Sequence, residues 1–323
     1  MSKSILVTGG CGFIGSHFIR HMLEHDKTCR VSNLDNLSYA GDLKRLRDVN
    51  KDKRYEFIRG DIRKSGDIAR AFFRKIDAVV HFAAESHVDN SIRDPLIFEE
   101  VNVRGTLNLL AAARQKGIKK FIHISTDEVY GEIHGGKFRE DSPLAPNSPY
   151  SASKAAADSF VRAFMRTYKF PALIVRPCNN YGPWQYPEKF IPVAICSLMK
   201  NRPIPVYGRG LNCREWLYVT DTAAAIAMLL TKGKAGEVYN VGSGVETRNL
   251  DLARKILKIS ANPGKLIEFV ADRPGHDFRY ALDSAKIRNL GWNPEITFPE
   301  GLKATISWYL RQKDWLFKRH KTP

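Results

Sequence analysis

Short apolar runs alternate with helical patterns through the first half of the chain, and this alternation limits the possible folds more than any other feature. The apolar runs predict strands at residues 5–7, 31–34, 55–58, 78–82, 121–124, 172–175 and, further on, 237–241. Helical spacing predicts helices at residues 13–25, 98–116, 151–168 and 217–230. Continuous apolar strands separated by helices are typical of a parallel sheet covered on both faces. The chain is therefore predicted to have an α/β fold with a doubly wound parallel sheet.

The character of the sequence changes after residue 177. Five prolines lie between residues 183 and 205, a density that excludes one long helix there. We predict a smaller, interleaved C-terminal α/β substrate lobe beside the large domain. The predicted division assigns residues 1–177 and about 216–245 to the large domain, and about 178–215 and 246–323 to the lobe.

A glycine-rich turn between the first strand and the first helix predicts a dinucleotide site. Gly9, Gly12 and Gly15 recur at three-residue intervals, which suits a turn that cradles a pyrophosphate at a helix N-terminus. Asp35 lies 20 residues after Gly15, where a carboxylate binds ribose hydroxyls and repels a 2′-phosphate. This pattern favours NAD over NADP in a Rossmann-type domain. Asp61, after the third strand, is predicted to bond the adenine.

The chain is strongly basic, with 51 Lys and Arg against 34 Asp and Glu and a formal net charge of +17. Such a balance favours anionic ligands such as nucleotide phosphates, and nucleic acid is a competing interpretation. The basic residues are dispersed, however, and the densest run covers only residues 318–321. This distribution fits an ordinary solvated surface, so no nucleic-acid partner is expected.

The sequence also predicts a cytoplasmic location. No apolar stretch approaches the ~20 residues that span a membrane, and the first residues lead into a strand without a signal-peptide pattern. Five scattered cysteines, none in a C-x-x-C pair, predict reduced thiols and neither a disulfide framework nor a metal site. We expect no membrane partner and no metal.

Tyr150 and Lys154 form a Tyr-x-x-x-Lys pair at the start of a predicted helix. Residues four apart share one helix face, so the ammonium is expected to stabilise the phenolate and lower the pKa of Tyr150. A tyrosinate can take a hydroxyl proton while hydride leaves the same carbon for nicotinamide. The pair follows a strand that ends at Ser125 and Thr126, where a hydroxyl can bond the same substrate oxygen.

With these motifs the chain resembles the extended short-chain dehydrogenase/reductase family and, within it, the dTDP-glucose 4,6-dehydratases. The resemblance covers nearly the whole chain. Its motifs, in order, lie at residues 8–15, 83–89, 125–131, 148–154, 179–183, 187–189, 214–217 and 272–277. The discriminating element is the Asp127-Glu128 pair after Thr126, because generic epimerases and decarboxylases of this family carry other residues there.

The resemblance implies a catalytic role for each of these residues. Tyr150, supported by Lys154 and Thr126, takes the C4 hydroxyl proton as hydride moves to NAD. Glu128 then acts as the base at C5 and Asp127 as the acid for the C6 hydroxyl, since two adjacent carboxyl groups in different protonation states can fill both roles. Hydride returns to C6, which gives a 4-keto-6-deoxy sugar and regenerates NAD.

The resemblance and the glycine motif together imply two sets of binding residues. The predicted cofactor site consists of Gly9, Gly12, Phe13, Ile14, Gly15, Asp35, Asn36, Leu37, Ser38, Asp61, Ile62, Ala83, Ala84, Tyr150, Lys154 and Asn180. The predicted nucleotide-diphosphate sugar site consists of Ser86, Thr126, Asn179, Glu188, Lys189, Phe190, Pro205, Tyr207, Arg214, Asn249, Arg273 and His276. The helices at 98–116 and 151–168 are expected, by resemblance, to form a homodimer interface.

Other functions stay open at this stage. UDP-glucose is an alternative substrate for the same dehydration. A nucleotide-sugar 4-epimerase or decarboxylase would use the same Tyr150 and Lys154 without the carboxyl pair. A non-enzymatic alternative is a basic scaffold of this fold that binds RNA or a partner protein.

Overall fold

A parallel sheet with helices on both faces forms the centre of the computed structural model, which describes residues 3–260 and 267–320. Lys321, the last residue of the predicted basic run, lies outside the described residues. The strands are β1 Ser4–Thr8, β2 Arg30–Asp35, β3 Tyr55–Arg59, β4 Ala78–His81, β5 Lys120–Ile124, β6 Ala172–Pro177, β7 Asn179–Tyr181, β8 Ile204–Tyr207, β9 Cys213–Tyr218, β10 Val238–Val241, β11 Glu246–Arg248 and β12 Ile267–Val270.

The large sheet has seven strands in the order β10-β6-β5-β4-β1-β2-β3, and every neighbouring pair is parallel. The chain builds outwards from β1 to β2 and β3, then returns to place β4 on the other side. Ligands of such sheets bind outside the carboxyl ends of the strands at this reversal. The predicted α/β, doubly wound fold is confirmed.

The helices of the described residues cover the sheet and build the smaller lobe. They are α1 Phe13–His25, α2 Ser65–Ala71, α3 Val88–Arg93, α4 Pro95–Phe98, α5 Thr106–Gln115, α6 Pro149–Tyr168, α7 Phe190–Met199, α8 Val219–Lys232, α9 Asn249–Ile259, α10 Ala285–Arg288, α11 Phe298–Arg311 and α12 Lys313–Arg319. None of them is long and apolar enough to cross a membrane.

Successive side chains of a strand point to opposite faces of the sheet and pack in two separate hydrophobic cores. Ile5 and Val7 of β1 pack with α1 and α8 on one face, whereas Leu6 packs with α2, α5 and α6 on the other. All three side chains have no exposed surface. This double burial explains why the central residues of β1 are apolar at consecutive positions and not at alternate ones.

The smaller lobe has its own core and two small sheets. Strands β11, β9 and β7 form one sheet, and β12 and β8 form the other. Helices α7, α9, α11 and α12 pack together over residues such as Ile195, Ile256 and Leu316. Because β7 directly follows β6, the lobe begins at the carboxyl edge of the large sheet and forms one wall of the cleft there.

Three predicted helices have different boundaries in the structure; of these, the helix predicted at 151–168 differs least, because it begins at Pro149. The helix predicted at 98–116 begins earlier, with α4, and continues through a wide π-helical segment at Glu99–Gly105 before α5. The helix predicted at 217–230 begins only at Val219. Leu217 and Tyr218 belong to strand β9, where they pair with β7. These two residues fit the helical spacing of α8, but pairing with a strand that is distant in the sequence places them in β9.

Candidate active site

In the glycine-rich turn, backbone segments approach so closely that a Cβ atom at Gly9 or Gly15 would overlap a backbone atom. Gly9 has a φ of +72°, and a Cβ atom there would lie 2.5 Å from the backbone nitrogen of Ala83. A Cβ atom on Gly15 would lie 2.5 Å from the carbonyl oxygen of Gly9. Gly12 is the N-cap of α1 and supplies no side-chain acceptor, so the first N–H groups of the helix are free for an anion. The turn therefore fits the pyrophosphate of a dinucleotide.

Two carboxylates follow β2 and β3 at the same edge of the sheet. Asp35 accepts hydrogen bonds from the backbone nitrogens of Cys11 and Leu37, each at 2.8 Å, and its burial raises its pKa. Asp61 is bound by the guanidinium of Arg63 at 2.7 Å; burial opposes its ionisation, but Arg63 brings its pKa below the ordinary value. Both carboxylates keep lone pairs for ligand hydroxyl or amino groups.

One cleft along the carboxyl ends of the strands joins most of the predicted site. It is lined by every predicted cofactor residue except Leu37 and by all five predicted catalytic residues, of which Thr126 is also a predicted substrate residue; four further predicted substrate residues line it too. The four substrate residues are Ser86, Asn179, Glu188 and Lys189. Leu37 instead packs against the core beneath the sheet.

The carboxyl pair stands in a short 3-10 helix, Asp127–Tyr130, directly after β5. Thr126 is the N-cap of this helix, and its hydroxyl oxygen accepts a hydrogen bond from the backbone nitrogen of Glu128 at 3.3 Å. The same hydroxyl donates to Oδ1 of Asp127 at 3.2 Å. Thr126 thus holds both Asp127 and Glu128 at the carboxyl end of β5.

The two carboxyl groups have different electrostatic surroundings. Burial, followed by the negative charges of Glu128 and Glu215, raises the pKa of Asp127 well above its ordinary value. Burial also raises the pKa of Glu128, but Arg273, Lys189 and Arg214 oppose this effect. Asp127 is therefore suited to hold a proton while Glu128 is suited to be the anion.

Tyr150 and Lys154 lie in the first two turns of α6, which opens with a capping box between Ser148 and Ser151. The ammonium of Lys154 donates to the carbonyl oxygen of Ile124 at 2.7 Å, and burial lowers the pKa of Lys154 to about 8. Burial, followed by the charge of Glu128, raises the pKa of Tyr150, and an interaction with Thr126 opposes the rise. The prediction that the pKa of Tyr150 is lowered is wrong. The cost of burying a phenolate outweighs the favourable interaction with Thr126.

Some predicted substrate residues lie outside the cleft, on the side of the smaller lobe. Tyr207 at the end of β8 donates to Asp89 at 3.3 Å and packs edge-on against His276. Arg273 precedes His276 in the same turn, and its charge favours ionised Glu128. Phe190 begins α7 and Pro205 lies in β8. Arg273, Tyr207 and His276 therefore form a group beside the cleft, and Arg273 is the member whose charge acts on Glu128.

Arg214 and Asn249 are not among the residues that line this cleft, and their contact with the sugar nucleotide stays a prediction. The guanidinium of Arg214 donates to the carbonyl oxygens of Cys213, Asp277 and Phe278 at 2.7 to 3.3 Å, and it stacks on Tyr280. These bonds fix its position, and its positive charge opposes the rise in the pKa of both Asp127 and Glu128. Asn249 begins α9, and its backbone nitrogen bonds the carbonyl oxygen of Asn212.

Several cleft residues were not predicted from the sequence. Arg45 is 1% exposed and lines the cleft from a short 3-10 helix after β2. Gln185 and Tyr186 line it from the opposite side. In the sequence, Arg45 is one of three basic residues in the run 44–47, and Gln185 is an amide beside the Asn179-to-Pro183 motif, so neither is distinguished by a local pattern. Within residues 3–260 and 267–320, no group of three His, Cys, Asp or Glu side chains could hold a metal ion.

Comparisons with known proteins agree along nearly the whole chain. The family model described as GDP-mannose 4,6 dehydratase matches residues 6–305. The low-salt glycan biosynthesis protein Agl12 of Haloferax volcanii is 50% identical over 306 residues, covering 95% of this chain and 98% of that protein. The dTDP-glucose 4,6-dehydratase of Salmonella typhimurium is 45% identical over 340 residues, covering 97% and 94%. The crystal structure of DesIV, the dTDP-glucose 4,6-dehydratase of Streptomyces venezuelae, with NAD bound, has a TM-score of 0.93 at 47% identity and covers 97% and 98%.

Proposed function

The chain belongs to the GDP-mannose 4,6-dehydratase family, and we propose that it converts dTDP-glucose to dTDP-4-keto-6-deoxyglucose with NAD as an internal hydride carrier. The observation that carries this proposal is the Asp127-Glu128 pair at the mouth of β5, in one cleft with Tyr150 and the glycine-rich turn. A simple oxidation or epimerisation at C4 needs no carboxyl pair. Elimination of water across C5 and C6 needs both an acid and a base.

The residues of the cleft fit NAD. The glycine turn leaves no space for a Cβ atom at Gly9 or Gly15, and Asp35 stands where ribose hydroxyls would bond. NAD, when bound, accepts the C4 hydride and returns it at C6, and its nicotinamide cation stabilises a phenolate at Tyr150. We propose that the buried Asp35 carboxylate disfavours a 2′-phosphate and thereby selects NAD over NADP.

The first chemical step is assigned to Tyr150. Its phenolate oxygen takes the proton of the C4 hydroxyl while the C4–H bond breaks, which leaves a ketone at C4. Thr126 is near enough to oppose the rise in the Tyr150 pKa, so its hydroxyl is suited to bond the same substrate oxygen. Lys154, anchored on Ile124, supplies positive charge to this end of the cleft.

The elimination step is assigned to the two carboxyl groups. Glu128, whose ionised form the surrounding cations favour against the effect of burial, takes the C5 proton that the C4 ketone makes acidic. Asp127, whose protonated form burial favours by raising its pKa, gives its proton to the C6 hydroxyl, which leaves as water. Glu128 then returns its proton to C5. At this point Tyr150 is protonated and Asp127 is ionised, so one proton must pass from Tyr150 to Asp127, directly or through solvent, before the next turnover.

Recognition of the sugar nucleotide is assigned to the smaller lobe. Lys189 lies beside Ser86, to whose carbonyl oxygen it donates at 2.7 Å, and Arg273 stands near Glu128. Both cations are suited to the diphosphate. The carbonyl oxygens of the Asn179 and Asn180 side chains are buried without partners in the described structure, so both are available to ligand donors. We propose that Tyr207 and His276 complete the pocket.

Product analysis with dTDP-, UDP-, CDP- and GDP-glucose tests the proposed reaction. A 4-keto product is detected by its alkaline ultraviolet absorbance, and dTDP-glucose should give it fastest. A higher kcat/KM for UDP-glucose would reassign the nucleotide base but keep the dehydration. Production of dTDP-galactose without a 4-keto product would instead identify a 4-epimerase. Salt-sensitive RNA binding with no turnover of any sugar nucleotide would support the scaffold.

We further propose a homodimer that buries the outer face of α5 and α6. Phe160 and Tyr168 of α6 are 40% and 46% exposed, and Leu96 of the adjoining α4 is 73% exposed. Exposed apolar side chains on neighbouring helices suit an isologous contact. Light scattering should give the mass of a dimer, and Phe160→Asp should shift it to a monomer. We also propose that the protein is cytoplasmic and that the chain is divided into a dinucleotide-binding domain and a smaller substrate lobe.

A further inference from the structure

Two segments that line the cleft, called here its first and second rims, are linked to each other and to the helices α11 and α12. The first rim, residues 36–46, contributes Asn36, Ser38, Gly41 and Arg45 to the cleft wall. The second rim, residues 182–189, contributes Gln185, Tyr186 and Glu188. They belong to different parts of the chain, and Tyr39 joins them by a hydrogen bond to Glu188 at 3.1 Å.

The C-terminal helix α12 fastens both rims from outside the cleft. The indole nitrogen of Trp315 donates to Oδ2 of Asp42 at 2.9 Å, and Arg319 donates to the same oxygen at 3.1 Å. His320, just after α12, bonds the carbonyl oxygen of Pro187 at 3.0 Å. Trp315 lies 273 residues after Asp42, so these bonds exist only because the fold returns the chain end to the cofactor cleft.

Helix α11 and Arg45 make further contacts with the two rims. Tyr309 of α11 donates its hydroxyl to the carbonyl oxygen of Gln185 at 2.6 Å. Arg45 donates to the carbonyl oxygens of Trp184 at 3.0 Å and Cys11 at 2.8 Å, and its guanidinium lies 5.6 Å from the centre of a Trp315 ring. One buried cation therefore ties the glycine-rich turn, the second rim and α12 together.

We propose that α11 and α12 act as a clasp that retains NAD in the cleft, with Trp315 and Tyr309 as its principal positioning residues. The inference rests on the proposed function, because an internal hydride carrier must not leave between the removal of hydride from C4 and its return to C6. Release requires the rims to separate, and their separation breaks the bonds to Asp42, Gln185 and Pro187. The clasp residues contact the rims and do not line the cleft, so they govern the lifetime of bound NAD without touching the reacting atoms.

Trp315→Phe tests the clasp most directly. The substitution keeps an aromatic ring in the cluster and removes the N–H that binds Asp42. The full chain is loaded with radiolabelled NAD, freed of excess, and chased with unlabelled NAD in the absence of sugar nucleotide. Loss of one hydrogen bond to a carboxylate predicts release that is about tenfold faster than from the wild type. During turnover, activity of this variant should decay and return on addition of NAD.

Trp308→Phe is the matched control. Trp308 packs in the same cluster, 5.8 Å from Trp315 between ring centres, and its indole nitrogen has no hydrogen-bond partner in the described part of the chain. Its variant should release NAD at the wild-type rate. Equal acceleration by Trp308→Phe and Trp315→Phe would overturn the proposal, since general loosening of the aromatic packing would then explain the effect.

Tyr309→Phe provides a second, independent test at the other rim. It removes the hydroxyl that binds the carbonyl oxygen of Gln185 and should also accelerate release several-fold. Wild-type release from both Trp315→Phe and Tyr309→Phe would refute the clasp. Because release is measured without substrate, a chain that holds NAD through these residues but dehydrates no sugar nucleotide would refute the proposed function and support the clasp.

Discussion

Oδ2 of Asp158 lies 2.9 Å from Nε of Arg176, and neither side chain has any exposed surface. Asp158 follows Lys154 by one turn of α6, and Arg176 lies in β6. The pair therefore joins the helix that carries Tyr150 and Lys154 to the central sheet. His123 of β5 approaches the other carboxylate oxygen at 3.4 Å.

Asp158→Asn should reduce the free energy of unfolding by about 3–5 kcal/mol, because it leaves the buried Arg176 cation without its counter-ion. Urea denaturation of the NAD-free protein measures the loss. Asp251→Asn is the control, since Asp251 and Arg254 form an exposed pair at 3.4 Å that should contribute at most about 1 kcal/mol. Equal effects of the two substitutions would contradict a structural role of the buried pair.

Glu128→Gln should separate hydride transfer from elimination. Glutamine keeps the shape of the side chain but cannot take the C5 proton, so bound NAD should still be reduced after dTDP-glucose is added. Formation of the 4-keto-6-deoxy product should fall by about 10²- to 10⁴-fold. Stopped-flow absorbance of NADH and product analysis report the two steps.

Tyr150→Phe is the complementary control for this experiment, because it should block the first reduction as well as the product. If Glu128→Gln dehydrated dTDP-glucose at the wild-type rate, the C5 base would have to be another residue.

The two chemical steps should have different pH dependences. Burial lowers the pKa of Lys154 to about 8, and lysine is cationic below its pKa, so NAD reduction should slow as the pH rises through about 8. Elimination needs ionised Glu128, whose pKa is raised by burial, so it should slow as the pH falls. His81 and His123 also face Lys154, but burial lowers the pKa of each, so both stay neutral.

Single-turnover rates across the pH range test this assignment. Asp158 raises the pKa of Lys154 against the effect of burial, so Asp158→Asn should move the alkaline limb of NAD reduction to lower pH. A reduction step that is independent of pH through 8 would show that Lys154 does not need its charge.

The sequence predicted the parts of the fold that depend on local patterns. Strands such as β1 and β6 are buried on both faces, so their residues are apolar in continuous runs that can be recognised without a structure. Strand β7 could not be predicted, because Asn179–Tyr181 is short and partly polar. It is ordered by parallel pairing with Trp216–Tyr218 of β9, far along the chain.

The same distinction applies to the site. The catalytic set from Thr126 to Lys154 is contained in motifs of fixed spacing, and the structure brings these residues to one cleft. The importance of Arg45 depends on the carbonyl oxygens of Cys11 and Trp184, two residues that are distant from it in the sequence, so no local pattern reveals it. The pKa of Tyr150 was predicted in the wrong direction because the extent of burial comes from packing and cannot be read from the spacing of Tyr150 and Lys154.

Gly9→Ala should weaken both the fold and the binding of NAD. Alanine would have to adopt a φ of +72° with its Cβ 2.5 Å from the backbone nitrogen of Ala83, a combination that should cost about 1–3 kcal/mol or displace the turn. Thermal unfolding measures the first effect, and titration with NAD measures the second. Gly66→Ala is the matched control, because Gly66 lies in α2 with no atom within 4 Å of the added Cβ. That substitution should raise stability by up to about 1 kcal/mol and leave NAD affinity unchanged. If Gly9→Ala bound NAD as tightly as Gly66→Ala, the close approach of Gly9 to Ala83 would not be what shapes the pyrophosphate site.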